Sequence, residues 1–410
     1  MSKPSRRPTR EARKEHKQKC LEAQRQLRQE QAAAGLEPLR KASAVNRLCP
    51  YRTEAEEQAD REGAVGAQLG VLRRLLPKLL KDLGKIPDVR QPKKVKHKLT
   101  VVLLYGLLSF VFQMSSRRQA NRELSQPAFL NTLRELFPEL ESLPHADTLH
   151  RVLSTLDVEQ LEHTHIEVVR RLIRNKKFRR YLVAGRYPIA IDGTQKLVRD
   201  GQWWDAEWLE RRRSTADGEW VQQYVYVLEA NLVLPNGVTL PLLSEFLSYG
   251  EGDPDDHKQD CELKAFYRLA QRLNAYFPRL PLLVLLDGLY PNGPLMATCF
   301  EYGWQFMIVL PKKCLPSVWE QVEGLSRDQG HPMKYQHWRG RQQGFWWHND
   351  IHYRYDRDRR HLTVHVVGCE ESWPVIDPES GERITQQSTH VWLSSHRLSP
   401  DNVHERCNLG

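Results

Sequence analysis

Two aspartates fall where a carboxylate is expensive. Tyr187-Pro-Ile-Ala-Ile-Asp192-Gly193 and Leu280-Pro-Leu-Leu-Val-Leu-Leu-Asp287-Gly288 are apolar runs that each end on Asp-Gly. Short apolar runs bounded by turn residues read as buried strands, and a carboxylate delivered by such a strand needs a partner. A divalent cation is one partner. In a two-metal site, carboxylates hold a pair of Mg²⁺ ions about 4 Å apart, one activating the attacking oxygen and one stabilising the leaving oxygen. Neighbouring strands lie about 4.8 Å apart, so two such aspartates can share an ion. Asp-Gly is also a common turn pair, and spacing alone leaves that reading open.

The elements that would position this pair follow from hydropathy. After Asp192, residues 220–234 are β-rich, and Pro235-Asn236-Gly237 turns the chain into a second strand over 238–247. Leu263, Phe266, Leu269 and Leu273 give helical spacing within 260–277. The Asp287 strand, a short helix over 293–302 and a buried strand over 306–310 follow. Strand, hairpin, helix, strand, helix, strand predicts an α/β fold, a mixed sheet flanked by helices, over 181–310.

Upstream, residues 66–180 read as all-helical. Leu69, Leu72, Leu75, Leu76, Leu79, Leu80 and Leu83 recur at helical spacing, and Gly84 and Pro87 close the run. The apolar stretch 99–112 reads as a buried core helix, with Lys93, Lys94, Lys96 and Lys98 before it and Arg117 and Arg118 after it. Leu130, Leu133, Leu136 and Phe137 give another helical pattern. Pro144-His145-Ala146-Asp147-Thr148 offers a turn and a cap before further helical periodicity through Leu172. Residues 311–397 are β-rich, with strands expected over 351–355, 362–369 and 390–393.

The net charge of +10 and pI near 9.2 call for a polyanionic partner. Cations crowd the first thirty positions, so residues 1–65 form a basic arm, either a solvated tail or one that follows phosphates. Seven scattered cysteines without a CxxC pair fit a reducing cytosol rather than a disulfide framework. No apolar run follows the N-terminal charges as in a signal peptide, and 99–112 falls short of the roughly 20 residues of a membrane span.

Other sites weigh less. His348, His352, His361 and His365 alternate in a β-rich stretch without a cysteine pair, which favours cross-strand histidines over zinc ligands. Glu251, Asp253, Asp255 and Asp256 lack the glycine and terminal glutamate of a calcium loop. Trp346 and Trp347, interleaved with Arg339 and Arg341, could stack an unpaired base or simply pack a β-subdomain.

The stretches Ile189-Ala-Ile-Asp-Gly-Thr-Gln195, Leu240-Pro-Leu-Leu-Ser-Glu-Phe246, Lys258-Gln-Asp-Cys-Glu-Leu-Lys264 and Leu283-Val-Leu-Leu-Asp-Gly-Leu-Tyr290 resemble DDE-type bacterial insertion-sequence transposases over roughly 85–410. That resemblance implies a ribonuclease H-like core, preceded by a helical DNA-binding region and carrying a β-rich insertion between the second and third acids. Asp192 and Asp287 would be the first and second catalytic, metal-binding acids, with Mg²⁺ or Mn²⁺ as cofactor. The DNA-binding residues would be Lys93, Lys94, Lys96, Lys98, Arg117, Arg118, Arg339, Arg341 and Trp346. The implied activity is cleavage at transposon ends followed by strand transfer from the freed 3′-hydroxyl.

The implied partners are double-stranded DNA at transposon ends and target, bound by a homodimer, in the cytoplasm at the nucleoid. The family's third acid is a Glu on a helix after the insertion. Ser399-Pro-Asp-Asn-Val403 resembles the start of that helix, and Glu405 is the one acid following it. Glu405 lies closer to the helix start than the family pattern has it. The expectation is a truncated or split enzyme deficient in cleavage, with residues 398–410 opening the last core helix and a downstream reading frame supplying the third acid. The alternatives are a DNA-binding remnant without catalysis and a ribonuclease H-like nuclease that hydrolyses without joining.

Overall fold

The computed structural model describes residues 10–35, 53, 55–56, 78–111, 116–123, 130, 133–134, 136–200, 208–215, 218–235, 237–248, 260–330, 332–338, 340–357 and 359–407. Several expectations lie wholly or partly outside them: the first nine residues, Leu69 to Leu76, the acidic loop from Glu251 to Asp256, and Arg339. The chain divides into two compact units, Gly63–Arg179 and a larger one comprising Met1–Glu62 with Arg180–Gly410.

The smaller unit is helical where described. Helix α2 (Leu99–Val111) is the apolar stretch read from sequence, and Val101 to Tyr105 are all buried. Gly106 lets it approach α4 (Ala146–Leu153), because a Cβ there would sit 2.8 Å from Leu149. Between them lies the short α3 (Arg117–Glu123). The expected cap before α4 is His145, whose ring nitrogen accepts from the Asp147 amide at 3.2 Å. Asp157 caps α5 (Val158–Arg174) in the same way, and Arg171 and Arg174 stand in its last turn, where cations favour the helix dipole.

The larger unit is built on one ten-stranded sheet. Strand β1 (Tyr187–Asp200) pairs antiparallel with β3 (Gly218–Val233), and β3 pairs antiparallel with β2 (Leu209–Thr215) and β4 (Thr239–Leu247). On its other edge β1 runs parallel to β5 (Leu282–Leu286), and β5 parallel to β6 (Gln305–Val309). Helices α6 (Glu262–Tyr276) and α7 (Gly293–Glu301) make the crossovers that parallel pairing demands. All five residues of β5 are buried, as expected of a central parallel strand.

After helix α8 (Pro316–Gln329), the β-rich segment continues the same sheet rather than forming a separate body. Strands β7 (Met333–Trp338), β8 (Arg341–Tyr355), β9 (Arg360–Ile376) and β10 (Arg383–Ser394) form a meander, and β10 pairs antiparallel with β6. Helix α1 (Arg10–Ala33), in the arm expected to be helical or partly disordered, packs against β9. No helix among the described residues is long and apolar enough to cross a membrane.

Helix α6 is fixed from two sides. Phe266, Leu269 and Leu273 are fully buried and contribute about 2 kcal/mol apiece. On its polar flank, Arg268 bonds Glu245 of β4 at 2.6 Å and Asp260 at 2.6 Å, while Arg272 bonds the other Glu245 oxygen at 2.6 Å. The Asp260 side chain is 0% exposed, so its charge depends on Arg268. Arg268→Met should therefore lower stability by about 3 kcal/mol, read from the urea midpoint. A loss under about 1 kcal/mol would mean Asp260 is compensated elsewhere.

Candidate active site

Strand register puts the two aspartates side by side. Tyr187, Pro188, Ile189 and Ala190 of β1 lie opposite Leu282, Leu283, Val284 and Leu285 of β5. Two positions further on come Asp192, still within β1, and Asp287, the first residue past β5. They also share a face. Ala190, Leu283 and Leu285 belong to one apolar cluster, and side chains two positions on point the same way. The strand bearing Asp192 is longer than expected, since β1 runs on to Asp200. It is burial that stops at Ile191, leaving both aspartates exposed.

Gly193 lies within β1, whereas Gly288 stands in the turn after β5, where the Tyr290 amide reaches back to the Asp287 carbonyl at 3.4 Å; neither has a positive φ, and each makes room. A Cβ on Gly193 would lie 2.5 Å from the Tyr226 ring and 2.8 Å from Cδ of Glu262, and one on Gly288 would lie 2.6 Å from Pro311. The turn reading of Asp-Gly thus holds at Asp287 and gives way to close packing at Asp192.

Behind Gly193 stands an acid not expected from sequence. Glu262, in the first turn of α6, accepts from the Tyr226 hydroxyl at 2.7 Å and the Tyr290 hydroxyl at 2.9 Å. Both phenols have pKa values raised by burial and by the Glu262 charge they donate to. Glu262 and Tyr290 both lie inside the motifs quoted above, but helical spacing marks only the apolar face of α6. The pairing to Tyr226, 36 residues away, is a product of folding.

Asp192 is electrostatically stressed. Its pKa is raised, first by partial desolvation and then by the charges of Asp287 and Glu262, against a lowering bond from the Gly193 amide. That amide donates to Oδ1 at 2.8 Å, and the Leu289 amide holds Asp287 Oδ1 at 2.9 Å. Across β3, Glu229 is paired with Asp192 in register, but it has Lys196 at 2.9 Å. Among the described residues no Lys or Arg bridges to Asp192 or Asp287. Two exposed carboxylates, each oriented by one backbone amide and lacking a protein cation, suit Mg²⁺, which takes oxygen donors and is often held by one or two carboxylates plus water. Among the described residues no group of three or more His, Cys, Asp or Glu side chains converges to hold a metal.

The other expected residues are dispersed. Glu405 lies on α9 (Val403–Cys407), which packs on β8 and β9 through buried Val403 and Cys407. Two residues from each, Glu405 stands on the opposite side of that turn, and no described interaction links it to the aspartates. Arg341 is committed within the protein: it bridges to the buried Glu371 and lies 3.9 Å over the Trp373 ring. Its charge is neutralised there, so it is not the free DNA contact expected of it. Trp346 is 7% exposed and pressed on Gly368, with one edge toward a cleft of about 500 Å³ beside α8. In the smaller unit Lys93, Lys94, Lys96, Lys98, Arg117 and Arg118 are all exposed, with Lys98 bridging to Glu139 and Arg117 to Asp147 at 3.4 Å.

Residues 80–169, within the smaller unit, match a family model described as DDE_Tnp_1-associated. Comparison with solved structures finds a cryo-EM structure of the piggyBac transposase synaptic complex with hairpin DNA, at 12% identity and a TM-score of 0.28. That match covers 79% of this chain but 60% of the other, a likeness too distant to specify fold or activity. Comparison with curated proteins returns no match.

A raised carboxyl pKa means the folded chain holds the proton more tightly than the unfolded chain, so ionisation opposes folding. Stability from this group is fullest below the ordinary carboxylate pKa and falls as pH rises through the raised value. Asp192→Asn should therefore unfold at a higher temperature than the parent chain at pH 7 without added metal. The difference should vanish below about pH 3.5. Equal unfolding temperatures at pH 7 in metal-free buffer would show that Asp192 is not under this stress.

Proposed function

We propose that this chain is a DDE-type transposase of the bacterial insertion-sequence kind, cutting DNA at element ends and joining the freed 3′-hydroxyl to target DNA. The observation that carries the reading is the pair Asp192, on β1, and Asp287, directly after the parallel β5, to which no described cation bridges. The strand order β4-β3-β1-β5-β6, three antiparallel strands followed by two parallel ones, supports a ribonuclease H-like core. The transposase-associated match in the helical unit supports the same context.

In this reading Asp192 and Asp287 hold Mg²⁺ or Mn²⁺, and the backbone amides of Gly193 and Leu289 aim their carboxylates. Bound there, the metal would polarise the phosphodiester and lower the pKa of the attacking water or hydroxyl. Glu262, braced by Tyr226 and Tyr290, adds negative potential from behind Gly193. Double-stranded DNA is brought up by the helical unit, with the chain acting as a homodimer at the nucleoid.

The decisive assay is Mg²⁺- or Mn²⁺-dependent cleavage of DNA carrying the element's ends. Asp192→Asn and Asp287→Asn should each reduce cleavage by on the order of a thousandfold, about 4 kcal/mol, while DNA binding persists. Glu405→Gln and Glu262→Gln assign the third acid, since the true ligand should match the aspartates in severity. Cleavage unaffected by both aspartate changes would overturn the reading. Binding without any cleavage would favour a DNA-binding protein.

For the helical unit, alanine at Lys93, Lys94, Lys96, Lys98, Arg117 and Arg118 should flatten the salt dependence of DNA affinity by about one unit per lost phosphate contact. An unchanged slope would make this patch a solvated face.

A further inference from the structure

Helix α1 carries three chemically distinct faces. Taking 100° per residue, His16, Cys20, Ala23 and Leu27 fall within about 60° of arc. This is the face docked on the β9–β10 hairpin: Cys20 and Leu27 are buried, and His16 Nε2 lies 3.0 Å from the Pro378 carbonyl. Gly381 at the hairpin tip faces Cys20 so closely that a Cβ would sit 3.4 Å from its sulfur. Farther along, Arg383 bridges to Glu30 at 2.8 Å. Glu15, Glu22 and Glu30, with Lys19, occupy a second flank. The third face is basic. Lys14, Lys17, Arg25 and Arg28 lie within about 80° of one another, on either side of the exposed Leu21.

All four cations are exposed, and no ion pair with a described residue engages them. They form two pairs whose centres are eleven residues, about 16 Å, apart along the axis. A major groove is about 12 Å wide, so long side chains from the two pairs can meet the phosphates on its two walls. A free tail would not keep such a stripe in place. Docking through the apolar face would, because it fixes both the position and the rotation of α1 on the sheet.

The geometry points to α1 as a docked phosphate-binding platform, gripping duplex DNA through Lys14, Lys17, Arg25 and Arg28 while its apolar face holds it to the β-rich segment. This rests on the transposase reading for the identity of the polyanion, and it assigns the duplex a second contact surface besides the helical unit.

The test measures affinity of the full chain for duplex DNA at several salt concentrations. Replacing the four cations with alanine should lower the log–log salt slope by about 3.6, at about 0.9 per phosphate contact. A drop of two units or more supports the platform; a smaller one overturns it. Lys19→Ala, on the other flank, should leave the slope unchanged, and a drop as large as that of the fourfold variant would overturn the stripe. Leu27→Asp and, separately, His16→Ala with Arg383→Ala loosen the docking without touching the stripe. Both should weaken binding about tenfold, corresponding to about 1.4 kcal/mol; undiminished affinity in both means a free tail and overturns the docked platform. Preference for single-stranded RNA of the same length, lost in the fourfold variant, would overturn the duplex assignment. Failure of the parent chain to bind duplex DNA would sink the transposase reading as well. Binding that ignores the stripe would sink only this surface.

Discussion

Parallel pairing of β1 with β5 carries two carboxylates to neighbouring positions just where the burial of both strands ends, and no described cation answers them. Like charges brought this near repel even in a screened environment, and Asp287 raises the pKa of Asp192. The rest of the site is arranged around that tension. Backbone amides from Gly193 and Leu289 stabilise one oxygen of each aspartate, which turns the remaining oxygens outward. Glu229, opposite Asp192 on β3, is paired with Lys196 and so is withdrawn from the problem. Among the described residues, the sheet pairs one of these acids with a lysine and leaves the other two without a bridging cation.

Glu262 sharpens this arrangement instead of relieving it. Its two phenolic donors hold it in place without bringing a positive charge into the site, whereas an arginine partner would have cancelled the field at Asp192. Arginine is used about two and three turns further along, where Arg268 and Arg272 bind Glu245 and Asp260 to anchor the same helix. Structural acids thus receive guanidinium partners, and the acid behind the site receives neutral ones. Gly193 is the hinge between the two demands, because only a residue without Cβ lets Tyr226 and Glu262 press on the strand behind Asp192.

Much of this was legible in the sequence, and the gaps have physical causes. The β5 strand, the 235–237 hairpin and the α6 helix follow from local periodicity and turn chemistry. The aspartate pair followed from apolar runs that stop on an acid. Strand β2 and helix α8 were missed: Glu210, Arg211 and Arg212 in β2 leave no alternation of apolar residues, and α8 sits in a segment whose aromatics suggest strands throughout. The committed Arg341 could not be foreseen, because Glu371 meets it only through the pairing of β8 with β9. Glu262 escaped for the same reason. A side chain's partner thirty residues away is set by register, and register is a property of the assembled sheet.

The β-rich segment illustrates what assembly adds. Without it, β6 would be an exposed parallel edge, a template for unwanted pairing. By returning β10 antiparallel to β6, the segment covers that edge and makes one continuous sheet from the acids to the β9–β10 hairpin. Rigid lateral continuity has a consequence for the arm. A basic helix attached to a flexible appendage would sample many positions relative to the acids, whereas one docked on a strand of the same sheet holds its cations at a fixed distance from them. Acidic centre and basic surface then become two ends of a single structural element. A polyanion bound at one end is presented to the other with little further loss of orientational freedom, which is where a site built from two exposed carboxylates most needs help.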